Sequence, residues 1–262
     1  MIVTGASSGI GRSVALELAA RGYRLALAAR RLDQIELVCK EVEAAGGEAF
    51  GLRCDVTSSE DVAALVRDCV GRWGRLDAAV HSAGVEVVGD VASISEVDWK
   101  LSIDVNLTGA FLLAHHAVPH LLERPSSAFV VIGSDASVNG AQGFAPYAAA
   151  KHGVIGLMRC MALDYGHRGL RSNAVCPGNT ETPMLDRLLD SASSEDRQFA
   201  ESALPMQRFG LSQEVAKAVA HLVGPDSGYT NGLVYNIDGG ATAGYFFPDL
   251  IHHTAASAER RA

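Results

Sequence analysis

The sequence predicts an α/β fold, a single mostly parallel sheet with helices on both faces. Three observations predict it. Short apolar runs alternate with helical periods from one end of the chain to the other, the pattern of strand–helix–strand units. The second run, Arg24–Ala29, is nearly all apolar, as a strand covered on both faces should be. A glycine-rich turn, Gly5–Gly11, stands between the first strand and the first helix.

Taken in order, Met1–Thr4 reads as a very short strand and Ile10–Arg21 as a helix with small and apolar residues inward. After Arg24–Ala29, the spacing of Leu32, Ile35, Val38 and Val42 predicts a helix over Leu32–Ala45. Glu48–Cys54 is the third strand, Ser59–Trp73 the third helix and Asp77–His81 the fourth strand. Helical segments fill Ser95–Leu122, and Ala128–Gly133 is the fifth strand. Tyr147–Tyr165 is a long helix of small residues, and Arg171–Cys176 is the sixth strand. Gln213–Leu222 is a helix with Ser212 as its N-cap, and Leu233–Ile237 the seventh strand. Crossovers are expected to be right-handed.

No repeat or linker divides the chain, so residues 1–262 read as one domain, long enough for a sizeable core. The least regular stretch is Pro183–Pro205, read either as a lid over a substrate or as a surface excursion. In the tail, Ala241–Ala262, the group Tyr245, Phe246 and Phe247 is expected to be buried against the body or a partner chain.

Apolar residues are 48% and charged residues 20%, with a formal net charge of −8 and no strongly basic run, which argues against nucleic-acid binding. No apolar run reaches ~18 residues, so no membrane span is expected. The start lacks the pattern of a signal peptide. Five cysteines without a CxxC pair read as buried free thiols of a cytoplasmic protein. His252 and His253 lack a third ligand, so no metal is expected.

The turn Thr4-Gly5-Ala6-Ser7-Ser8-Gly9-Ile10-Gly11 lets a backbone approach a diphosphate closely, and the helix start adds unpaired N–H donors. At the end of the second strand, where a carboxylate would hold an unphosphorylated ribose, the chain has Arg30 and Arg31. Two guanidinium groups suit a 2′-phosphate, which favours NADP; the other reading is a pair of surface residues at a helix start. Asp55 is placed either to accept from an adenine amino group or to cap the next helix.

Tyr147 and Lys151 are four apart and share a helix face. A phenol titrates near ~10, and a neighbouring ammonium favours the phenolate and lowers that value. A tyrosine so placed can give a proton to a developing alkoxide or take one from an alcohol. The other reading is a core tyrosine beside an exposed lysine. Ser134, at the end of the fifth strand, could hydrogen-bond a reacting carbonyl. Asn106 either holds a water chain leading from Lys151 or satisfies a helix kink locally.

These motifs together resemble the classical short-chain dehydrogenase/reductase family. The likeness rests on Thr4–Gly11, Asp55-Val56, a variant of the family's NNAG at His81-Ser82-Ala83-Gly84, Asn106, Ser134, Tyr147-Ala-Ala-Ala-Lys151, Pro177-Gly178 with Thr182, and Asp238-Gly239-Gly240. It implies a Rossmann-type, doubly wound sheet of seven strands in the order 3-2-1-4-5-6-7. It implies a catalytic tetrad of Asn106, Ser134, Tyr147 and Lys151, with Lys151 also on the nicotinamide ribose. Cofactor contacts are expected from Gly5, Ser7, Ser8, Gly9, Ile10, Gly11, Arg30, Arg31, Asp55, Val56, Ser82, Ala83 and Gly84. Asn106, Tyr147, Lys151, Pro177, Gly178, Thr180 and Thr182 complete that set. Assembly as a homotetramer or homodimer is also implied. His81 and Ser82 replace paired asparagines, so the fourth strand should hold with its local hydrogen bonds rearranged.

The activity expected is hydride transfer between nicotinamide and a ketone or secondary alcohol. Val85–Val91, Ala136–Phe144 and Pro183–Pro205 should shape a moderately apolar substrate pocket without a cluster for a highly charged ligand. The family allows a 3-oxoacyl-carrier-protein reductase or a sugar or polyol dehydrogenase. A non-catalytic dinucleotide-binding regulator and an epimerase or dehydratase are the competing classes.

Overall fold

The structure is a computed structural model that describes residues 1–189 and 193–247. The pair His252-His253 and the tail from residue 248 onward lie outside the described residues.

In chain order the elements are β1 Ile2–Thr4, α1 Gly9–Ala20, β2 Leu25–Ala29, α2 Leu32–Ala44, β3 Ala49–Arg53, α3 Ser59–Trp73 and β4 Ala78–His81. They continue with α4 Glu96–Ile103, α5 Gly109–Leu121, β5 Ser127–Ile132, α6 Ala145–Tyr165 and β6 Leu170–Pro177. The last are β7 Thr180–Glu181, α7 Pro183–Leu188, α8 Ser194–Ser202, β8 Gly210–Leu211, α9 Ser212–Val223 and β9 Val234–Ile237.

Seven strands form one parallel sheet in the order β3-β2-β1-β4-β5-β6-β9. The order is the expected one; its last strand is β9 because β7 and β8 form a small separate ribbon. Alternation along each strand sends neighbouring residues to opposite layers. In β2, Leu25 and Leu27 pack with Val14 and Leu18 of α1, Ile35 of α2 and Val219 of α9. Ala26 and Ala28 face the other layer, with Leu65 of α3, Leu113 of α5 and Met158 of α6. Strand order reverses between β1 and β4, and a crevice for a ligand opens at such a switch point, outside the carboxyl ends of the strands.

Four local expectations change. Pro183–Pro205 carries α7 and α8, each too short to display a period. Leu211, not Ser212, precedes α9: the Ser212 hydroxyl accepts from Ser13 at 2.7 Å, and the Glu214 carboxylate accepts from the Leu211 N–H at 2.8 Å. Tyr245 is 96% exposed and Phe247 58%, with Phe246 between them half-buried, so Tyr245 and Phe247 do not pack on the body of this chain. Cys160 is exposed, while the other four thiols are buried.

Candidate active site

Every residue expected at the site lines one cleft of about 940 Å³ above the carboxyl ends of the strands. Its floor at one end is the turn after β1. Gly5 has φ +66°, and a Cβ there would lie 2.6 Å from the Ala83 nitrogen, so only glycine lets the two loops touch. Ser8 precedes α1 in an extended conformation and makes no side-chain cap, leaving the first-turn N–H groups to an outside acceptor. Thr4 ties this turn to β4: its Oγ1 accepts from the Ser82 and Ala83 N–H groups at 3.3 Å each and lies 3.2 Å from His81 Nδ1. With His81 and Ser82 in place of paired asparagines, β4 still pairs with β1 and β5. Burial and the charge of Lys151 push His81 down to about 3, so the imidazole is neutral.

Arg30 and Arg31 stand exposed between β2 and α2, with no ion pair among the described residues. Two cations at the positive end of the α2 dipole are mutually and locally unfavourable without an anion. Asp55 Oδ1 accepts from the Thr57 N–H at 3.0 Å and the Thr57 hydroxyl at 2.8 Å. The cap of α3 is Ser58, whose Oγ accepts from the Asp61 N–H at 3.2 Å, so the capping role considered for Asp55 belongs to its neighbour. Glycine cradle, uncapped helix start and unpaired arginines together fit a phosphorylated dinucleotide.

At the other end, Asn106 lies in a π-turn, Asp104–Thr108, that joins α4 to α5. Such a turn widens the helix by one residue and is common at functional sites. Its amide is committed locally: Nδ2 donates to the Val85 carbonyl at 2.9 Å and the Ser102 carbonyl at 3.0 Å, and Oδ1 accepts from the Val85 N–H at 3.2 Å. Of the two sequence readings of Asn106, this geometry favours local satisfaction. Gly84 makes room for it, since a Cβ there would lie 2.9 Å from Asn106 Oδ1 and 3.7 Å from Lys151 Nζ.

Lys151 is buried, and its Nζ donates to the Ile132 carbonyl at 2.8 Å. Burial pushes the ammonium down to about 8. Nζ is 5.5 Å from the Tyr147 ring centroid, on the shared face of α6. The expected depression of the phenol is not found. Burial holds Tyr147 well above the ordinary phenol range; the Ser134 hydroxyl opposes that rise, and Glu86 and Asp135 add to it. Removing a phenolate from water is the largest influence on Tyr147, and the neighbouring Lys151 does not offset it.

Ser134 is fixed by the 3₁₀ turn that follows β5. The Ser137 hydroxyl accepts from its N–H at 3.0 Å, its Oγ accepts from the Ala136 N–H at 3.2 Å, and its own hydroxyl donates to Asp135 Oδ1 at 2.8 Å. Pro177 ends β6, and Thr180 and Thr182 continue into β7 and α7; Thr182 Oγ1 caps α7 by accepting from the Leu185 N–H at 3.4 Å.

The substrate end is less apolar than expected. Phe144, Met184 and Leu188 line it, together with Glu86, Asp135 and Arg187. Burial raises Glu86, and the Arg187 charge opposes that rise. Glu86 and Arg187 fall within the segments expected to shape the pocket, Val85–Val91 and Pro183–Pro205, whose apolar content masks their charge, while Asp135 lies just outside the expected Ala136–Phe144. The adjacency of Asp135 to Ser134 was the one available signal. Among the described residues no cluster of side chains is suited to a metal ion.

A family model described as enoyl-(acyl carrier protein) reductase matches residues 5–242. A 3-oxoacyl-[acyl-carrier-protein] reductase, FabG, of Staphylococcus aureus is 35% identical over 240 residues, covering 91% of this chain and 96% of that protein. The chain belongs to the short-chain dehydrogenase/reductase family. Like other short-chain dehydrogenase/reductases, it is an oxidoreductase acting on a carbonyl or CH–OH group. A cyclohexanol dehydrogenase of Acinetobacter is 36% identical over 245 residues, with 92% of this chain and 94% of that protein covered. Among solved structures, a variant of actinorhodin polyketide ketoreductase with NADPH superposes with a TM-score of 0.88 at 34% identity, covering 92% of this chain and 95% of that one. No helix among the described residues is long and apolar enough to cross a membrane.

Proposed function

We propose that this short-chain dehydrogenase/reductase interconverts a ketone and a secondary alcohol with NADP(H), Tyr147 giving the proton in reduction and taking it in oxidation. The observation that carries the reading is the meeting of Ser134, Tyr147 and Lys151 in the same cleft as the uncapped glycine turn. When bound, the dinucleotide supplies or accepts the hydride. Gly5 to Gly11 and the start of α1 hold the diphosphate, and Arg30 and Arg31 the 2′-phosphate. Asp55, Val56, Ser82, Ala83 and Gly84 line the adenosine and central part of the site. Pro177, Gly178, Thr180 and Thr182 border the nicotinamide end.

Tyr147 is protonated at neutral pH and therefore carries the proton that the alkoxide formed in reduction takes up, the alkoxide being a far stronger base than a phenolate. Lys151 orients the phenol and binds ribose hydroxyls. Asn106 positions the Val85 backbone and with it the loop that faces them both. Likeness to an NADPH-containing ketoreductase supports the choice of cofactor. Residues 183–205 serve as a lid in this reading, within a single domain. Exposed apolar residues Val97 and Trp99 on α4, Phe111 on α5 and Leu163 on α6 support assembly as a tetramer or dimer through those helices. Five cysteines without a disulfide among the described residues suit the cytoplasm.

Initial rates across ketones and secondary alcohols, each with both reduced and both oxidised dinucleotides, test the reading. Turnover with NADPH or NADP⁺ exceeding that with the unphosphorylated pair is expected. Dinucleotide binding without turnover of any member would instead indicate a binding protein.

A further inference from the structure

Ser134 has one hydroxyl proton, and the carboxylate of the next residue holds it. Asp135 Oδ1 accepts from the Ser134 hydroxyl at 2.8 Å and also from the Ala136 N–H at 2.8 Å. One lone pair of Ser134 Oγ is in turn occupied by the Ala136 N–H. A ketone oxygen entering the cleft must therefore compete with a carboxylate for the Ser134 proton, and a carboxylate is much the stronger acceptor. Asp135 is half-buried, lines the cleft and forms no ion pair among the described residues. Glu86 lines the same end, likewise without an ion pair among them, and both charges bear on the Tyr147 phenol. The wall facing the phenol is thus rich in acceptors and poor in donors. Among the described residues, Arg187, exposed on α7, is the one cation of that wall besides Lys151.

Resting on the ketone–alcohol reading above, we propose that Asp135 selects substrates bearing a hydroxyl on the carbon next to the reacting one. That hydroxyl donates to Asp135 and takes the place of the Ser134 proton there. Ser134 then turns its proton to the reacting oxygen, beside Tyr147. A substrate without the neighbouring donor leaves Ser134 bound to Asp135, and its oxygen meets a single donor, the phenol. The substrate class assigned is a vicinal diol in the oxidative direction and an α-hydroxy ketone in the reductive one. Oxidation begins with the Tyr147 phenol releasing its own proton to solvent; hydride then leaves the reacting C–H for the oxidised dinucleotide and the proton of the same carbinol goes to the Tyr147 phenolate, while the neighbouring hydroxyl is unchanged.

The test compares 1,2-cyclohexanediol with cyclohexanol, and with 2-aminocyclohexanol as an ammonium-bearing arm, using either oxidised dinucleotide. For the unmodified protein, kcat/KM for the diol should exceed that for cyclohexanol about tenfold or more, the usual size of one charge-assisted hydrogen bond. In Asp135→Ala that preference should fall to about twofold, and kcat for cyclohexanol should rise because Ser134 is released. A merely structural role for Asp135 would lower both rates. Asp135→Asn retains the shape and an acceptor for the Ala136 N–H, and should lie between the two. Equal diol preference in all three proteins overturns the proposal, as does a preference for the amino alcohol over the diol. Turnover of none of the three alcohols, nor of any ketone, would remove the underlying reading as well, an outcome distinct from turnover without discrimination.

Discussion

Where β1, β4 and α1 meet, the cleft is walled by main chain: Gly5 pressed on Ala83, the uncapped start of α1, and Thr4 gathering the Ser82 and Ala83 N–H groups. At the opposite end it is walled by side chains on short excursions, Glu86 and Asp135 on loops and Met184, Arg187 and Leu188 on α7. A dinucleotide presents the same diphosphate to every enzyme that uses it, so backbone groups on rigid strands suffice to hold it. Substrates differ, and side chains on loops can change without disturbing the sheet. Tyr147, Ser134 and Lys151 lie on the boundary, carried by β5 and α6 but facing the variable end.

The sharpest way to break that division is at its boundary. Tyr147→Phe removes one oxygen and keeps the ring. Turnover should fall by about 10³-fold or more, within the range of general acid catalysis, while the dissociation constant for NADPH stays within about twofold. Stopped-flow turnover and fluorescence titration read the two quantities separately. An unchanged kcat would remove the tyrosine from the chemistry. On the main-chain side, the arginine pair is the only expected contact that tells one dinucleotide from another. Arg30→Ala with Arg31→Ala should weaken NADPH binding by about 10²-fold, the loss of one or two charge-assisted bonds, and leave NADH nearly unaffected. Equal weakening of both would show that the arginines act on the shared part of the cofactor or on α2 itself.

The same division decides what could be read from the sequence. The main-chain half was legible because its requirements leave few residue types: glycine at the turn, apolar runs in β2 and β5, and Tyr147 one helical turn before Lys151. Even the seven-strand order followed from a family likeness anchored at those positions. The side-chain half was not legible. Strands of two residues, such as β7 and β8, and a helix of six, such as α7, are too short to display a period. The polarity contributed by Glu86 and Asp135 depends on where loops turn. The Tyr147 shift runs opposite to the sequence expectation for a related reason: sequence gives the neighbour Lys151, while burial, the larger effect, exists only in the fold.

Lys151 sharpens this point because its burial has a measurable consequence. Its folded-state value is about 8 against 10.5 in the unfolded chain. Between those values the unfolded chain binds the extra proton, so stability contributed by this site rises with pH across that window. Below about pH 8 the fold bears the full cost of a buried ammonium; above about 10.5 the cost is gone. Lys151→Met lacks the titration altogether. Measured by urea unfolding without dinucleotide, its stability relative to the parent should be highest at pH 7 and fall by roughly 3 kcal/mol as pH approaches 10.5. A relative stability independent of pH would mean that Lys151 keeps its ordinary value despite its burial.

The smallest expected effect belongs to a region with little burial. No residue of α8 is buried, and Leu185 is the single buried residue of α7. Their amides should therefore open locally at low cost and exchange hydrogen faster than those of β5, every residue of which is buried. If these helices close over a substrate, adding dinucleotide and substrate together should slow exchange in α7 and α8 several-fold, whereas dinucleotide alone should act chiefly on the turn at Gly5–Gly11. Equal protection with and without substrate would make α7 and α8 a fixed wall, and the variable end of the cleft would then discriminate by side-chain chemistry alone.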